Sequence, residues 1–200
     1  MMGVLAGLML GAISISVDQT GGLSARQLQL AVEEIAAIWR DAGVEVTAPP
    51  SGELSLTQAA GVSIRIVTFS IVPGGRDRPI LAWVGVGPDH ATLPALFVSL
   101  PAITSIIADG IYLGCPVKKL TTDVTEQLVA RAVGRVAAHE LGHYLLRHGG
   151  HTPRGLMRTT FSPNDLVGSS LGPFRVTEAD WAAAATEILT LARSRQGLRP

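Results

Sequence analysis

Two histidines and a glutamate near position 140 have the residue types and the spacing of a metal site. The segment reads His139-Glu140-Leu141-Gly142-His143. On an α-helix, residues four apart lie on one face and one turn apart, so both imidazoles can converge on a single ion. Zinc accepts neutral histidine nitrogen in a tetrahedral geometry, and a catalytic zinc site keeps one position for water. The glutamate beside the first histidine is then the candidate general base that takes a proton from that water.

A third ligand must come from elsewhere in the chain. His148 follows His143 by five residues, which is about 140° around a continuing helix, so it is expected to point away from the metal face. The pair Gly149-Gly150 allows a left-handed turn that ends the helix and folds the chain back. His151 comes directly after that turn and is the favoured third ligand. His148 is expected to face solvent or to lie beside the ligands.

The elements that position these residues are predicted from hydrophobic periodicity and capping signals. Ser24 and Gln27 form a capping box for a helix over 25–42, and a long helix is expected over 122–147. A last helix begins at Thr177, with Asp180 as its capping partner. Strands come before and between the helices, so the fold class is α/β. Strands are predicted at 13–17, 44–47, 62–72, 80–86 and 96–100, with irregular structure over 101–121.

Composition excludes several classes of partner. The 200 residues include 16 Lys plus Arg and 16 Asp plus Glu, so no net charge attracts nucleic acid or an anionic membrane. Apolar residues make up 47% of the chain, which is typical of a globular protein. Cys115 is the single cysteine, and we expect it to be a half-buried free thiol rather than a redox or zinc-blocking residue. The oligomeric state is left open.

The first residues allow two interpretations. Residues 1–17 carry no charge, and the apolar run is short for a membrane span of about 20 residues. Neither a basic start nor a small-x-small cleavage site is clear. Residues 1–12 are therefore interpreted either as the remnant of a signal peptide or as the lead-in to a buried strand. A secreted or extracytoplasmic location is favoured over a cytoplasmic one, without being fixed.

The segment from His139 to Met157 resembles the metzincin clan of zinc peptidases. It is more similar to the compact matrixin-like bacterial proteins, in which the third histidine comes late and a Gly-(Ile/Leu)-Met turn follows; here that turn is Gly155-Leu156-Met157. The resemblance implies an α+β zincin-like fold with a twisted mixed sheet of about five strands, packed on an N-terminal helix and on the long helix of the active site. It also implies a subdomain over 13–148 and a small C-terminal helical lobe over 149–200.

The resemblance further implies roles for individual residues. Met157 would form the hydrophobic floor under the histidines, although ordinary core packing is the alternative. The strand over 80–86 would be an antiparallel edge strand able to hold an extended peptide by main-chain pairing. Zinc would be the cofactor, and a peptide or protein would be the substrate.

The chain also departs from the clan pattern. Leu146 occupies the place of the glycine in the motif, and Arg158 and Thr159 stand where a tyrosine is usual, shortly after the methionine. The group that would help to stabilise the oxyanion is therefore left open among Tyr144, His148 and Arg158.

The sequence predicts a zinc-dependent endopeptidase in which Glu140 is the general base. One alternative is a non-catalytic zinc-binding interaction module of the same fold. Another keeps the enzyme but takes the third ligand from a downstream acid, Asp165 or Glu178, as in the gluzincin type.

Overall fold

A twisted five-stranded sheet forms the body of the protein. A computed structural model describes residues 12–18, 22–47, 62–69, 80–87, 92–146, 151–178 and 180. The spatial order of the strands is β2-β1-β3-β5-β4, in which the first four run parallel and β4 is an antiparallel edge strand. The predicted mixed sheet with an antiparallel edge is therefore confirmed. The strands are β1 (Ala12–Asp18), β2 (Glu45–Thr47), β3 (Val62–Phe69), β4 (Ala82–Val86) and β5 (Thr92–Ser99).

Helices pack against this sheet to close the core. The capping box predicted at the start of the first helix is present, since the Ser24 hydroxyl accepts from the Gln27 amide and the Gln27 side chain accepts from the Ser24 amide. The first helix is shorter than predicted, because its last turn opens at Asp41 and Gly43 adopts a left-handed φ of 73°. The helices are α1 (Ala25–Arg40), α2 (Leu100–Ile107), α3 (Thr122–Leu146) and α4 (Pro163–Val167).

The prediction of irregular structure over 101–121 is wrong. Helix α2 begins directly after β5, where the Ser99 hydroxyl accepts from the Ala102 amide at 3.3 Å. Pro101 looked like a breaker, but it lies in the first turn, where its missing N–H and fixed φ suit a helix. A small hairpin follows, formed by β6 (Ile111–Tyr112) and β7 (Cys115–Pro116). The Cys115 thiol is half-buried and free, as expected.

Helix α3 is held against α1 by close backbone approach and by one buried hydrogen bond. A Cβ added to Gly134 would lie 2.6 Å from the Ala31 carbonyl oxygen and 2.7 Å from Glu34 Cβ, so the absence of a side chain lets the helices touch. The Trp39 indole donates to the Ala138 carbonyl at 3.2 Å, immediately before His139. Helix α1 therefore fixes the position of the part of α3 that carries the candidate ligands.

Arg135 ties α1 and α3 to the C-terminal segment. Its side chain is 1% exposed, and its Nε lies 2.7 Å from Glu34 on α1. It also donates to the carbonyl of Asp165, and its guanidinium lies 4.8 Å from the centre of the Phe174 ring. A buried cation needs such partners, because an unpaired charge in the interior is strongly destabilising.

Some predicted features lie outside the described residues. These are residues 1–11, the segment 147–150 with His148 and the two glycines, and the last helix beyond Asp180. The Thr177 hydroxyl and amide both bond to the Asp180 carboxylate, so the predicted capping pair is present. The division of the chain at 148/149 stays a prediction. Among the described helices, none is long and apolar enough to cross a membrane.

Replacing Gly134 by alanine should destabilise the fold. The new methyl group would meet a backbone oxygen of α1, which cannot move without shifting that helix. We expect the free energy of unfolding in urea to fall by about 1–3 kcal/mol, as for other overpacked positions. Glu126→Ala, at an exposed position of the same helix, is the control and should change stability little. A Gly134→Ala variant as stable as the wild type would contradict the close approach.

Candidate metal centre

The C-terminal part of α3 brings two histidines together. The Nε2 atoms of His139 and His143 lie 3.0 Å apart, and their ring planes meet at 87°. Two nitrogens bound to one tetrahedral zinc at about 2.0–2.1 Å would be roughly 3.3 Å apart. The observed spacing is therefore close to the one that a shared zinc ion requires.

The loop after α3 brings the third histidine to the same point. The ring of His151 lies 4.7 Å from that of His143 and 5.4 Å from that of His139, measured between ring centres. One nitrogen from each of the three rings lies within 4.8 Å of the other two, so the group could hold a metal ion. The structure thus brings together the three histidines that the sequence singled out.

A backbone carbonyl fixes the proton of His139. Nδ1 of His139 lies 2.7 Å from the Leu156 carbonyl oxygen, and since a carbonyl accepts, this nitrogen carries the proton. Nε2, which faces His143, is left with its lone pair in the neutral ring. Burial lowers the pKa of His139 from its ordinary 6.5 to about 4, so the ring is neutral at pH 7. A neutral ring with a free Nε2 is the form that binds zinc.

A short loop over 151–158 supplies both the third histidine and this carbonyl. Within the loop the Thr152 amide donates to the Met157 carbonyl at 2.8 Å. On its outer side the Leu156 amide donates to the Arg175 carbonyl at 2.9 Å. Gly155 has a φ of 77°, and a Cβ there would lie 2.6 Å from the same Arg175 oxygen. Both its conformation and its surroundings therefore require glycine at this position.

Met157 packs against α3 between the two helical histidines. It is 1% exposed and belongs to the hydrophobic core. A Cβ added to Gly142 would lie 3.0 Å from the Met157 methyl carbon and would overlap its sulfur. The methionine is thus both core residue and neighbour of the helix segment that carries the ligands.

Glu140 is an acid in a buried place. It is 8% exposed, and burial raises the pKa of its carboxyl from the ordinary 4.5 to about 7. A buried carboxyl normally needs a charged or hydrogen-bonding partner. The part of the chain that the structure describes supplies none to this one. A nearby divalent cation would be such a partner and would lower the pKa again.

None of the other described candidate residues belongs to the three-histidine group, although Arg158 lies near enough to His139 to help lower the pKa of its ring. Tyr144 is buried in the hydrophobic core. Arg158 lies 2.7 Å from the Asp165 carboxylate, with its guanidinium 4.5 Å from the centre of the Phe161 ring. Asp165 also accepts from Ser162 as the cap of α4. Among the described residues, neither Asp165 nor Glu178 belongs to the group that could hold a metal.

Two contacts at the site were missed by the sequence reasoning. The Leu156 carbonyl is a backbone group, and no residue type reports its direction. Phe161 places its ring edge-on to His139, with 5.4 Å between ring centres, and stacks on Phe174 at 4.8 Å. Aromatic residues are few in this chain, at 4% of positions. A phenylalanine soon after the methionine turn was therefore the signal that could have been used.

Comparison with known proteins supports the fold. No family model matches the sequence, and no curated protein is significantly similar to it. A solved structure of a zinc-dependent peptidase from Methanocorpusculum labreanum (strain Z) superposes with a TM-score of 0.51 at 12% identity, over 87% of this chain and 100% of that chain. The two chains share a fold. The predicted resemblance to zinc peptidases is thus confirmed at the level of the fold.

The ion pair beside the site should make stability depend on pH. Burial acts in the opposite direction, but hydrogen bonds from Ser162 and the Arg158 guanidinium hold the pKa of Asp165 below its ordinary 3.8. A lowered folded pKa stabilises the protein above the unfolded pKa, and this contribution is lost as the pH falls through the folded value. We expect Asp165→Asn to be less stable than wild type at pH 7.

The difference in unfolding free energy between wild type and Asp165→Asn should shrink once the pH drops below about 4, near the ordinary aspartate pKa. Urea titrations between pH 7 and pH 3 measure it. Asp109→Asn, at an exposed turn, is the control. A difference that stays constant down to pH 3 would show that the charge of Asp165 has no part in stability.

Proposed function

We propose that this protein is a zinc-dependent endopeptidase whose metal is held by His139, His143 and His151. The single observation that carries the proposal is the convergence of one nitrogen from each ring within 4.8 Å, at the end of a helix that also carries a buried glutamate. The shared fold with a zinc-dependent peptidase supports it. The separation of 3.0 Å between the two helical nitrogens and the neutral state of His139 suit zinc.

The chain's own residues then divide the work. When bound, zinc supplies a Lewis acid that lowers the pKa of a water from 15.7 towards about 7 and polarises the scissile carbonyl. Glu140 accepts a proton from the attacking water at its carboxylate and later gives that proton to the leaving amine. The Leu156 carbonyl keeps His139 in the tautomer whose Nε2 can bind the ion. Met157 forms the apolar floor beneath the ligands.

The edge of the sheet offers a place for the substrate. Strand β4 is paired on one side, to β5, and lies at the edge of the sheet. An extended peptide can add to such an edge by main-chain hydrogen bonds, which hold it without regard to most side chains. We propose that the substrate peptide binds along β4 with its scissile bond at the histidines.

A non-catalytic zinc-binding module is the second candidate. It is favoured by the burial of Tyr144 in the core and by the pairing of Arg158 with Asp165, since neither side chain is observed to point a donor at the histidines. The burial of Glu140 beside the ligands argues against it, because a binding module gains nothing from a buried acid there. Chelator-sensitive cleavage of casein separates the two candidates.

Replacing Glu140 by alanine should abolish hydrolysis and leave metal binding intact. A lost general base lowers the rate by roughly 10²–10⁴-fold. Zinc content by mass spectrometry and turnover of a quenched peptide library measure the two effects. Glu126→Ala, on the exposed surface of the same helix, should leave both unchanged. A Glu140→Ala variant that cleaves at the wild-type rate would rule out the proposed base.

The identity of the third ligand can be tested by metal content. We expect His151→Ala to lose most bound zinc after dialysis, because a site with two protein ligands holds the ion weakly. His148→Ala and Glu178→Ala are matched controls, and both should keep one zinc per chain. Retention of zinc by the His151→Ala variant together with its loss from the Glu178→Ala variant would favour the acid as ligand instead.

A further inference from the structure

We propose that Gly142 is a positioning residue for the metal ligands. Its missing side chain leaves a notch in α3, the thioether of Met157 fills that notch, and the fit sets the distance at which the loop over 151–158 meets the helix. His151 would then reach the other two histidines because position 142 has no side chain. This inference rests on the proposed function, since it concerns the ligands of the proposed zinc ion.

The notch is defined by three atoms of one side chain. A Cβ at Gly142 would overlap the sulfur of Met157, lie 3.0 Å from its methyl carbon and lie 3.7 Å from its Cγ. The sulfur and methyl group are the far end of a flexible side chain, so they could turn aside if there were space for them. Met157 is 1% exposed, so its displaced sulfur would have to push other core side chains. Interiors are packed closely enough that such a change is felt by the backbone.

Two backbone bonds carry a displacement of Met157 to the ligands. Its carbonyl accepts from the Thr152 amide at 2.8 Å, and Thr152 directly follows His151. Its neighbour Leu156 accepts from Nδ1 of His139 at 2.7 Å. A shift of the methionine turn therefore moves the third histidine and also changes the hydrogen bond that orients the first.

The loop has little room to yield on its other side. The Leu156 amide is bonded to the Arg175 carbonyl at 2.9 Å, and Gly155 lies directly against the same oxygen. The loop is thus held between α3 and the backbone at residue 175. Added volume at position 142 would therefore press on a loop that is already fixed on its far side.

The test is a double-mutant cycle on Gly142 and Met157, read by metal affinity. Zinc dissociation constants come from competition with a chromophoric chelator, and the visible spectrum of the cobalt(II) form reports the ligand geometry. We expect Gly142→Ala to raise the zinc dissociation constant by roughly 10–100-fold, as for other residues that orient ligands, and to change the cobalt spectrum. In Gly142→Ala/Met157→Ala, truncation of Met157 leaves a space that the new methyl group at position 142 can occupy. The zinc affinity and the cobalt spectrum of this double variant should therefore equal those of Met157→Ala alone.

Gly134→Ala is the matched control. It also adds a colliding methyl group to α3, but towards α1 rather than towards the loop. It should lower the melting temperature but change the zinc affinity and the cobalt spectrum much less than Gly142→Ala does. If both glycine variants weakened zinc binding equally, Gly142 would have a general structural role and the inference would be wrong.

The remaining outcomes also decide the matter. A zinc-binding wild type with an equally tight Gly142→Ala variant, or strictly additive effects in the cycle, would overturn the inference while the proposed function stands. If Gly142→Ala does not fold, recovery of folding and zinc binding in the double variant supports the notch, and failure to recover overturns it.

If the wild type binds no zinc, the proposed function falls. In that case the same double-mutant cycle can be read from the melting temperatures of the metal-free variants. If the two substitutions change the melting temperature additively, Gly142 and Met157 are not coupled and the notch is refuted.

Discussion

The hydrogen bond from the His139 ring to the Leu156 carbonyl joins the two parts of the molecule that form the site. It connects α3 to a loop 17 residues further along the chain, and both partners are buried. In a low-dielectric interior such a bond is strong, and leaving either group unpaired would be costly. The bond therefore fixes three things together: the orientation of the ring, the position of its proton, and the distance of the loop from the helix.

The helix end of this bond is held from the opposite side by α1. The Trp39 indole bonds to the Ala138 carbonyl, the residue before His139, and Glu34 pairs with Arg135 one turn earlier. The loop end is held by Arg175, and Arg135 reaches the same C-terminal segment through the carbonyl of Asp165. The positions of the imidazoles thus depend on contacts with α1 on one side and with the segment after the loop on the other. Residues far apart in the sequence are therefore required to position these three side chains.

The sequence predicted those features that depend on periodicity and on residue type. The long helix and the capping of α1 at Ser24 follow from patterns that a helix must show. The mixed sheet with its antiparallel edge was implied instead by the resemblance to zinc peptidases. The convergence of the three histidines was predicted from helix geometry and from an expected bend at Gly149-Gly150, which lies outside the described residues. Helix α2 was missed because Pro101 was interpreted as a helix breaker. Proline breaks the interior of a helix but is well tolerated in its first turn. The acceptor for His139 was missed because a backbone carbonyl carries no side-chain signal, and its direction depends on the whole loop.

Glycines on α3 mark where other parts of the chain come nearest to its axis. Helix α1 lies against α3 at Gly134, and the Met157 side chain lies against it at Gly142, about 12 Å further along the helix. Each glycine lowers the intrinsic stability of the helix by roughly 1 kcal/mol relative to alanine. Packing offsets this loss, since most helix stability in proteins comes from tertiary contacts. The two approaches come from different elements, and the histidines lie on the stretch of helix at the second one. A helix with alanine at both positions would be the better isolated helix, but it could not be approached closely by either partner.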